Sequence, residues 1–232
     1  MIETTENTIK HIAIIMDGNR RWAASRSLPK VFGFNEGSKT AKKIAIATKK
    51  RGIPYLTIWG LSTENLKERG PEELSHLFSL FEKLADELEE LNKEDIRIKI
   101  IGDLSKLPES TQKKLGDVEK LTANNNSLVV NLAINYGGRD ELVRAFQKIS
   151  NQNLKPEDIN EELISQNLDT AGQPDVDLMI RTGGHLRFSG YLIWQSIYAE
   201  LYSTKTTWPD FSEQELDKAI EWFQQQQRNH GK

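Results

Sequence analysis

Residues 11–22 read His-Ile-Ala-Ile-Ile-Met-Asp-Gly-Asn-Arg-Arg-Trp, which puts one carboxylate, Asp17, just before a Gly-Asn pair and two arginines. Ile12 to Met16 is apolar, too short for a helix and bounded by polar residues, so it reads as a buried strand. Gly18 and Asn19 tolerate positive φ, which predicts a sharp turn, and helix-forming residues resume at Arg20. A carboxylate at the C-terminal end of a buried strand, with a helix beginning beyond it, is where open α/β sheets bind ligands. Arg20, Arg21 and the helix amides would attract an anion, phosphate above all. Asp17 would repel that anion unless a cation lay between them. The pattern therefore points to a divalent ion shared by carboxylate and phosphate oxygens, Mg²⁺ being the usual hard cation. A capping aspartate beside two surface arginines accounts for the same residues equally well.

A second group lies near the other end of the chain. Arg181-Thr182-Gly183-Gly184 is followed by Arg187 and Ser189. Two arginines spaced across a Gly-Gly turn would grip a second diphosphate, with the Ser189 hydroxyl adding a contact. Beyond them, Tyr191 to Tyr202 is aromatic-rich and reads as a helix carrying Glu200, an acidic residue that is costly to bury unless paired or metal-bound.

The elements that position these groups alternate along the chain. Phe32-Gly33-Phe34-Asn35-Glu36-Gly37 reads as a glycine-bearing loop, with Ser38 capping a helix over Lys39–Lys50 whose inner face is Ala41, Ile44, Ala45 and Thr48. Arg51-Gly52-Ile53-Pro54 ends it. Tyr55 to Leu61 is a second buried strand, and it too finishes in a polar cluster, Ser62-Thr63-Glu64-Asn65. Residues 72–91 carry Leu74, Leu77, Phe78, Phe81, Leu84, Ala85, Leu88 and Leu91 at helical spacing, which suits a core helix and equally the wall of a hydrophobic tunnel. Ile96 to Ile101 alternates with Arg97 and Lys99, as at a sheet edge or in a strand with one wet face. Pro108 opens a helix, Leu128 to Ile134 is a third apolar strand leading into Asn135-Tyr136-Gly137-Gly138-Arg139, and Val176 to Ile180 is a further strand. Residues 151–175 are polar, with a short helix between Pro156 and Pro174. At least four strands thus end in polar, glycine- or arginine-bearing loops. The fold expected is α/β, one domain over residues 1–232, with a largely parallel central sheet flanked by helices.

Composition narrows the function. The 232 residues are 37% hydrophobic and 28% charged, with no cysteine and a formal net charge of −3. Disulfides and thiolate metal sites are excluded, and a nucleic-acid partner is disfavoured. No apolar run is long enough to span a membrane and no signal peptide is evident, so a cytoplasmic location is expected. Arg20, Arg21, Arg26 and Lys30 face Asp17 alone over residues 17–30, a basic focus that suits a small anionic ligand.

Five collinear stretches together resemble the cis-prenyltransferases, and most closely the bacterial undecaprenyl diphosphate synthases. They are Met16-Asp17-Gly18-Asn19-Arg20-Arg21-Trp22, Ser62-Thr63-Glu64-Asn65, Asn135-Tyr136-Gly137-Gly138-Arg139, Arg181-Thr182-Gly183-Gly184 with Arg187 and Ser189, and Tyr198-Ala199-Glu200-Leu201-Tyr202 with Trp208-Pro209-Asp210-Phe211. The Asp-Asp-x-x-Asp motifs of the all-helical trans-prenyltransferases are missing. The resemblance implies a homodimeric, Mg²⁺-dependent enzyme that adds isopentenyl diphosphate units to an allylic diphosphate, farnesyl diphosphate, giving a long-chain Z-polyprenyl diphosphate for cell-wall synthesis. A synthase of another chain length and a non-catalytic partner subunit are the alternatives; such subunits lose the strand-end aspartate, which is present here.

By the same resemblance, Gly18, Asn19, Arg20 and Arg21 hold the allylic diphosphate, with Trp22, Lys30 and Phe34 around it. Arg181, Arg187 and Ser189 hold isopentenyl diphosphate, Phe188 lying between them. Asp17 and Glu200 hold Mg²⁺, and Asp17 assists departure of pyrophosphate. Asn65 and Ser62 lie where the proton is removed, with Thr63, Glu64, Leu66 and Arg69 lining that end. The 72–91 helix and the 55–61 strand wall the product tunnel, and Gly60 leaves room in it. A long lipid product implies peripheral membrane contact for its release.

The chain departs from the family pattern at Lys30 (usually Arg), Phe34 (usually His), Leu66 (usually Trp) and His185-Leu186 (usually Glu-His). Residues 67–71 are one longer, which leaves the register of Arg69 open. The C-terminal Arg-x-Gly reads Asn229-His230-Gly231, with Arg228 one place early. His11, His76 and His230 show no paired-base pattern and are expected to do no catalytic work.

Overall fold

A computed structural model describes residues 8–84 and 88–228. Six strands form one sheet: β1 (His11–Ile15), β2 (Tyr55–Ser62), β3 (Ile96–Ile101), β4 (Leu128–Tyr136), β5 (Leu178–Arg181) and β6 (Glu200–Ser203). Their order is β3-β4-β2-β1-β5-β6, and every pairing is parallel. β1 is buried along its whole length because both faces are covered. Ile12 and Ile14 enter one core with Leu56, Ile58 and Ile180, while Ala13 and Ile15 enter the other with Met179, Tyr136 and Tyr191.

The helices are α1 (Asn19–Ser25), α2 (Lys30–Lys50), α3 (Thr63–Glu68), α4 (Pro71–Lys83), α5 (Leu88–Lys93), α6 (Glu109–Leu121), α7 (Gly138–Ser150), α8 (Glu161–Asn167) and α9 (Glu213–Gln224). β3 lies at a sheet edge, as its alternation predicts, and β6 forms the other edge. The chain leaves β1 toward β2 on one side and leaves β5 toward β6 on the other. The crevice between the C-terminal ends of β1 and β5 is therefore a topological switch point, where such sheets bind ligands.

Three expectations are corrected. Phe32–Gly37 is not a loop and Ser38 caps nothing; α2 begins at Lys30, with Pro29 at its N-cap. The glycines there serve close packing rather than a turn. A Cβ on Gly33 would lie 2.1 Å from the Asn19 carbonyl oxygen, and one on Gly37 would lie 2.4 Å from Asn19 Oδ1 and 2.9 Å from Trp208. The expected helix over 72–91 is divided into α4 and α5, and residues 85–87, including Ala85, fall outside the described residues. Tyr191–Tyr202 is not a helix. Consecutive turns, with positive φ at Ser189, Gly190 and Leu192, lead into β6, so Glu200 stands on a strand.

At the N-terminal end of the sheet, His11 is fully buried. Asn131 Nδ2 donates to Thr57 Oγ1 at 2.8 Å, leaving the Thr57 hydroxyl to donate to His11 Nε2 at 2.7 Å. His11 Nδ1 then donates to the Pro174 carbonyl at 2.9 Å, so the network suits a neutral ring. Burial lowers its pKa to about 4, against partial opposition from Pro174 and Asp177. The unfolded chain takes up this proton below pH ~6.5, the folded chain only near 4. The contribution is therefore intact above pH 6.5 and is lost as the pH falls toward 4. Urea unfolding is expected to show about 2–3 kcal/mol of loss from this group between pH 7 and 4.5. The matching slope should be missing in His11→Gln.

Candidate active site

Asp17 follows β1 at the switch point, and Gly18, with φ of 111°, turns the chain into α1. A Cβ on Gly18 would meet Thr207 at 2.8 Å, so the backbone approaches closely there. The Asp17 carbonyl is held by Thr182 Oγ1 at 2.7 Å and by the Trp208 amide at 3.0 Å. Its carboxylate lies between two arginines from different elements. Arg21 Nη2 donates to Oδ1 at 2.8 Å and Arg181 Nη2 to Oδ2 at 3.0 Å. Burial alone would raise the Asp17 pKa, but the hydrogen bonds and charges of Arg181 and Arg21 outweigh it and hold the group below the usual carboxylate range.

The arginines are themselves anchored. Arg181, only 6% exposed, donates through Nη1 to the Arg187 carbonyl and to Ser189 Oγ, each at 2.7 Å. Arg21 Nη1 donates to the Gly183 carbonyl at 2.6 Å. Arg187 and Ser189 are exposed on the same loop, and Phe188 packs beneath it in the second core. The structure thus brings together Asp17, Arg21, Arg181, Arg187 and Ser189, with a surplus of positive charge facing solvent.

A second cluster lies beside the first and was not foreseen in the sequence. Glu73, in the first turn of α4, is 1% exposed, and three cations converge on it. Arg20 Nη2 is 2.6 Å and Lys30 Nζ 2.5 Å from Oε2, while Arg69 Nε is 3.2 Å from Oε1. Burial pushes the Glu73 pKa up, and Lys30, Arg20 and Arg69 together bring it below its ordinary value. The Arg69 guanidinium lies 5.3 Å over the ring of Phe34. The available signal was a Glu placed two residues after Pro71 and four after Arg69, which reads as ordinary helix-start chemistry.

Ser62 caps α3 by accepting from the Asn65 amide at 3.1 Å, so Asn65 stands one turn beyond the end of β2. Thr63 packs against Gly137, where a Cβ would lie 2.7 Å from its hydroxyl oxygen. Glu64 is exposed and Leu66 packs against the main core. Trp22 donates to Asp210 at 2.7 Å and stacks under Arg26, so it ties α1 to the Trp208–Asp210 turn. Thr182, Trp208 and Asp210 stand in the sequence motifs without an expected role, and tertiary contacts supply it.

Glu200 is not brought to Asp17. It pairs in register with Leu178, whereas Arg181 pairs with Ser203 and with Ile15. At strand spacing that sets the two carboxylates roughly 10–15 Å apart along the sheet axis, at opposite ends of the strands. Within a single chain the two carboxylates are therefore apart, because register sets Glu200 level with Leu178 while Asp17 lies beyond Ile15 and Arg181. Arg228 pairs with Asp177 at 2.9 Å in its own chain, at that same lower end. Residues 229–231 fall outside the described residues.

An apolar cavity of about 510 Å³ opens beside these clusters. Met16, Asn19 and Phe34, chain neighbours of the two clusters, line it together with Ile58, Leu77, Phe81 and Leu132. Gly60 lines it as expected, since a Cβ there would press on Phe81 at 3.2 Å and Leu132 at 3.3 Å. Two cationic clusters on segments that also line a largely apolar cavity suit a substrate with a polyanionic head and a hydrocarbon tail.

The family model described as "Putative undecaprenyl diphosphate synthase" matches residues 15–231. The chain belongs to the undecaprenyl diphosphate synthase family. The ditrans,polycis-undecaprenyl-diphosphate synthase ((2E,6E)-farnesyl-diphosphate specific) of Vibrio vulnificus is 43% identical over 98% of this chain and 92% of its own length. Among solved structures, lavandulyl diphosphate synthase from Lavandula x intermedia, in complex with dimethylallyl diphosphate, superposes with a TM-score of 0.94 at 36% identity, covering 98% of this chain and all of that one. A "probable undecaprenyl diphosphate synthase" from Campylobacter jejuni gives 0.82 at 37% identity, covering 97% and 99%. This member of the family is a prenyltransferase with a parallel α/β sheet, as expected.

The α1–α2 contact is the local constraint on the site. Gly33→Ala would drive a methyl group into the Asn19 backbone and displace the Asp17 loop. Overpacking of this kind costs about 1–3 kcal/mol, so the melting temperature is expected to fall by about 3–10 °C in a thermal melt.

Proposed function

We propose that this chain condenses isopentenyl diphosphate onto farnesyl diphosphate repeatedly, giving undecaprenyl diphosphate. The observation that carries this reading is the Asp17 carboxylate clamped by Arg21 and Arg181, on a segment whose Met16 and Asn19 line the 510 Å³ cavity. The allylic diphosphate lies against Gly18, Asn19, Arg20, Arg21 and Lys30, with its chain passing Phe34 into the cavity. Isopentenyl diphosphate lies against Arg181, Arg187 and Ser189. In each addition the allylic C–O bond breaks, a C–C bond forms to the terminal carbon of the isopentenyl unit, and that unit loses a proton. Arginines in place before the reaction stabilise the charge that grows on the departing pyrophosphate. Asn65, beyond the end of β2, orients the isopentenyl unit for proton loss.

The residues fit Mg²⁺. Asp17 offers two hard oxygens, each with lone pairs beyond its arginine bond, and its side chain is 26% exposed. Among the described residues no group of three His, Asp or Glu could cage an ion. One carboxylate completed by substrate phosphates and water is what Mg²⁺ commonly accepts. When bound, the ion supplies further neutralisation of the pyrophosphate charge.

Exposed Leu186, Ile193 and Ile197, with Val143 and Phe146 on α7, support a homodimer in which a second copy covers them. No helix among the described residues is long and apolar enough to cross a membrane. The proposal is a cytoplasmic enzyme that touches the bilayer peripherally to unload its lipid product.

Labelled isopentenyl diphosphate with farnesyl diphosphate and Mg²⁺, followed by product sizing, is expected to give a C55 product from the purified chain. The superposition on lavandulyl diphosphate synthase, in complex with dimethylallyl diphosphate, favours a second reading, a lavandulyl diphosphate product with dimethylallyl diphosphate as ligand, which would overturn the first. Asp17→Ala is expected to lower turnover by about 10³-fold or more with little change in melting temperature. Full activity in that variant would refute the metal assignment. Ile197→Asp is expected to sediment as a monomer.

A further inference from the structure

Glu73 is a buried carboxylate whose two hydrogen-bonded partners are half in solvent. Its side chain is 1% exposed, while those of Arg20 and Lys30 are 55% and 50% exposed. The three belong to different elements, with Arg20 on α1, Lys30 at the start of α2 and Glu73 in the first turn of α4. Arg20 reaches Glu73 through one Nη2 and Lys30 through one ammonium hydrogen, so both keep donors for a further anion. Arg20 also directly precedes Arg21, which holds Asp17.

We propose that Glu73 is a positioning residue that exchanges charge with the allylic diphosphate. Between turnovers it holds Arg20 and Lys30. Both pass to the diphosphate when substrate binds and return to Glu73 as pyrophosphate leaves. The inference rests on the placement of the allylic diphosphate proposed above.

The arrangement meets the two conditions such an exchange needs. The first is that Glu73 must tolerate losing both partners while still buried. Arg69 remains with it: this side chain is 15% exposed, sits over Phe34 and reaches Glu73 from one turn earlier. The free amides of the first turn of α4 add to that support. The second is that the cations must be drawn back once the reaction is over. A carboxylate beside the pyrophosphate competes for the same donors and repels the product. Without it, Arg20, Lys30, Arg21 and Mg²⁺ would grip pyrophosphate with no counterweight.

Binding of inorganic pyrophosphate to the full chain, measured by calorimetry with Mg²⁺ present, tests this. Wild-type protein must bind pyrophosphate in competition with farnesyl diphosphate; if it does not, the placement of the allylic site fails. Given that competition, Glu73→Gln is expected to bind pyrophosphate about tenfold or more tightly, with kcat and the KM for farnesyl diphosphate both falling. Because Glu73→Gln strands a buried Arg69, the paired variant Arg69→Met/Glu73→Gln removes both charges and should tighten pyrophosphate in the same way. Equal or weaker binding in the folded variants overturns the exchange and leaves Glu73 as a brace that merely holds its cations. Arg20→Gln and Lys30→Gln should each weaken pyrophosphate about tenfold, and an unchanged affinity in both overturns the inference whatever the Glu73 variants do.

Discussion

The site depends on one electrostatic constraint: a carboxylate at the end of a buried strand keeps its charge by lying between two arginines. Asp17 emerges from β1, and burial would favour its neutral form. Arg21, one helical turn further on, and Arg181, from the neighbouring strand, reverse that preference. Since Arg181 is itself nearly enclosed and bonded to Ser189 and the Arg187 carbonyl, the same contact that charges Asp17 also places the second anion-binding loop. A parallel sheet whose connections diverge at β1 and β5 is what sets these two strand ends side by side.

The cations of the site share a design. Each cluster has one partly or fully buried carboxylate and more than one basic partner, Asp17 with Arg21 and Arg181, and Glu73 with Arg20, Lys30 and Arg69. A carboxylate at each centre gathers long side chains and leaves net positive charge outward, so the cations are assembled at the site before the ligand arrives. The cavity beside them carries no such constraint; it needs volume and largely apolar walls, which Leu77 and Phe81 of α4 and Ile58, Val130 and Leu132 of β2 and β4 supply.

The second face of the sheet is covered differently from the first. Beside α7, the turns at residues 190–198 lie over it, held by Trp59 stacked on Tyr191 at 4.6 Å and by Tyr136 against the edge of Tyr191. Gln195 and the Tyr136 hydroxyl both donate to buried Glu141. This packing holds Ser189 and Leu192 at positive φ, a conformation that side chains seldom adopt unaided, and so aims the loop carrying Arg187 and Ser189 at the crevice.

By itself the sequence determined the strands β1, β2 and β4, the alternation with helices and the strand-end clusters. Runs such as Ile12–Ile15 and Leu128–Ile134 are buried on both faces, and that burial is written locally as apolar composition, interrupted in the second run by Asn131 alone. It also determined the reaction class, because Asp17, Asn65, Arg181, Arg187 and Ser189 occur in one family order. Tertiary structure decided the rest. Gly33 and Gly37 look like loop residues until Asn19 and Trp208 are seen pressed against them in the middle of α2. Glu200 looks like a partner for Asp17 until strand register puts it at the other end of the sheet. Glu73 looks like a helix-start acid until α1, α2 and α4 converge and three cations meet on it. Periodicity and propensity are properties of neighbours in the chain, whereas register and charge convergence arise only when distant segments pack together.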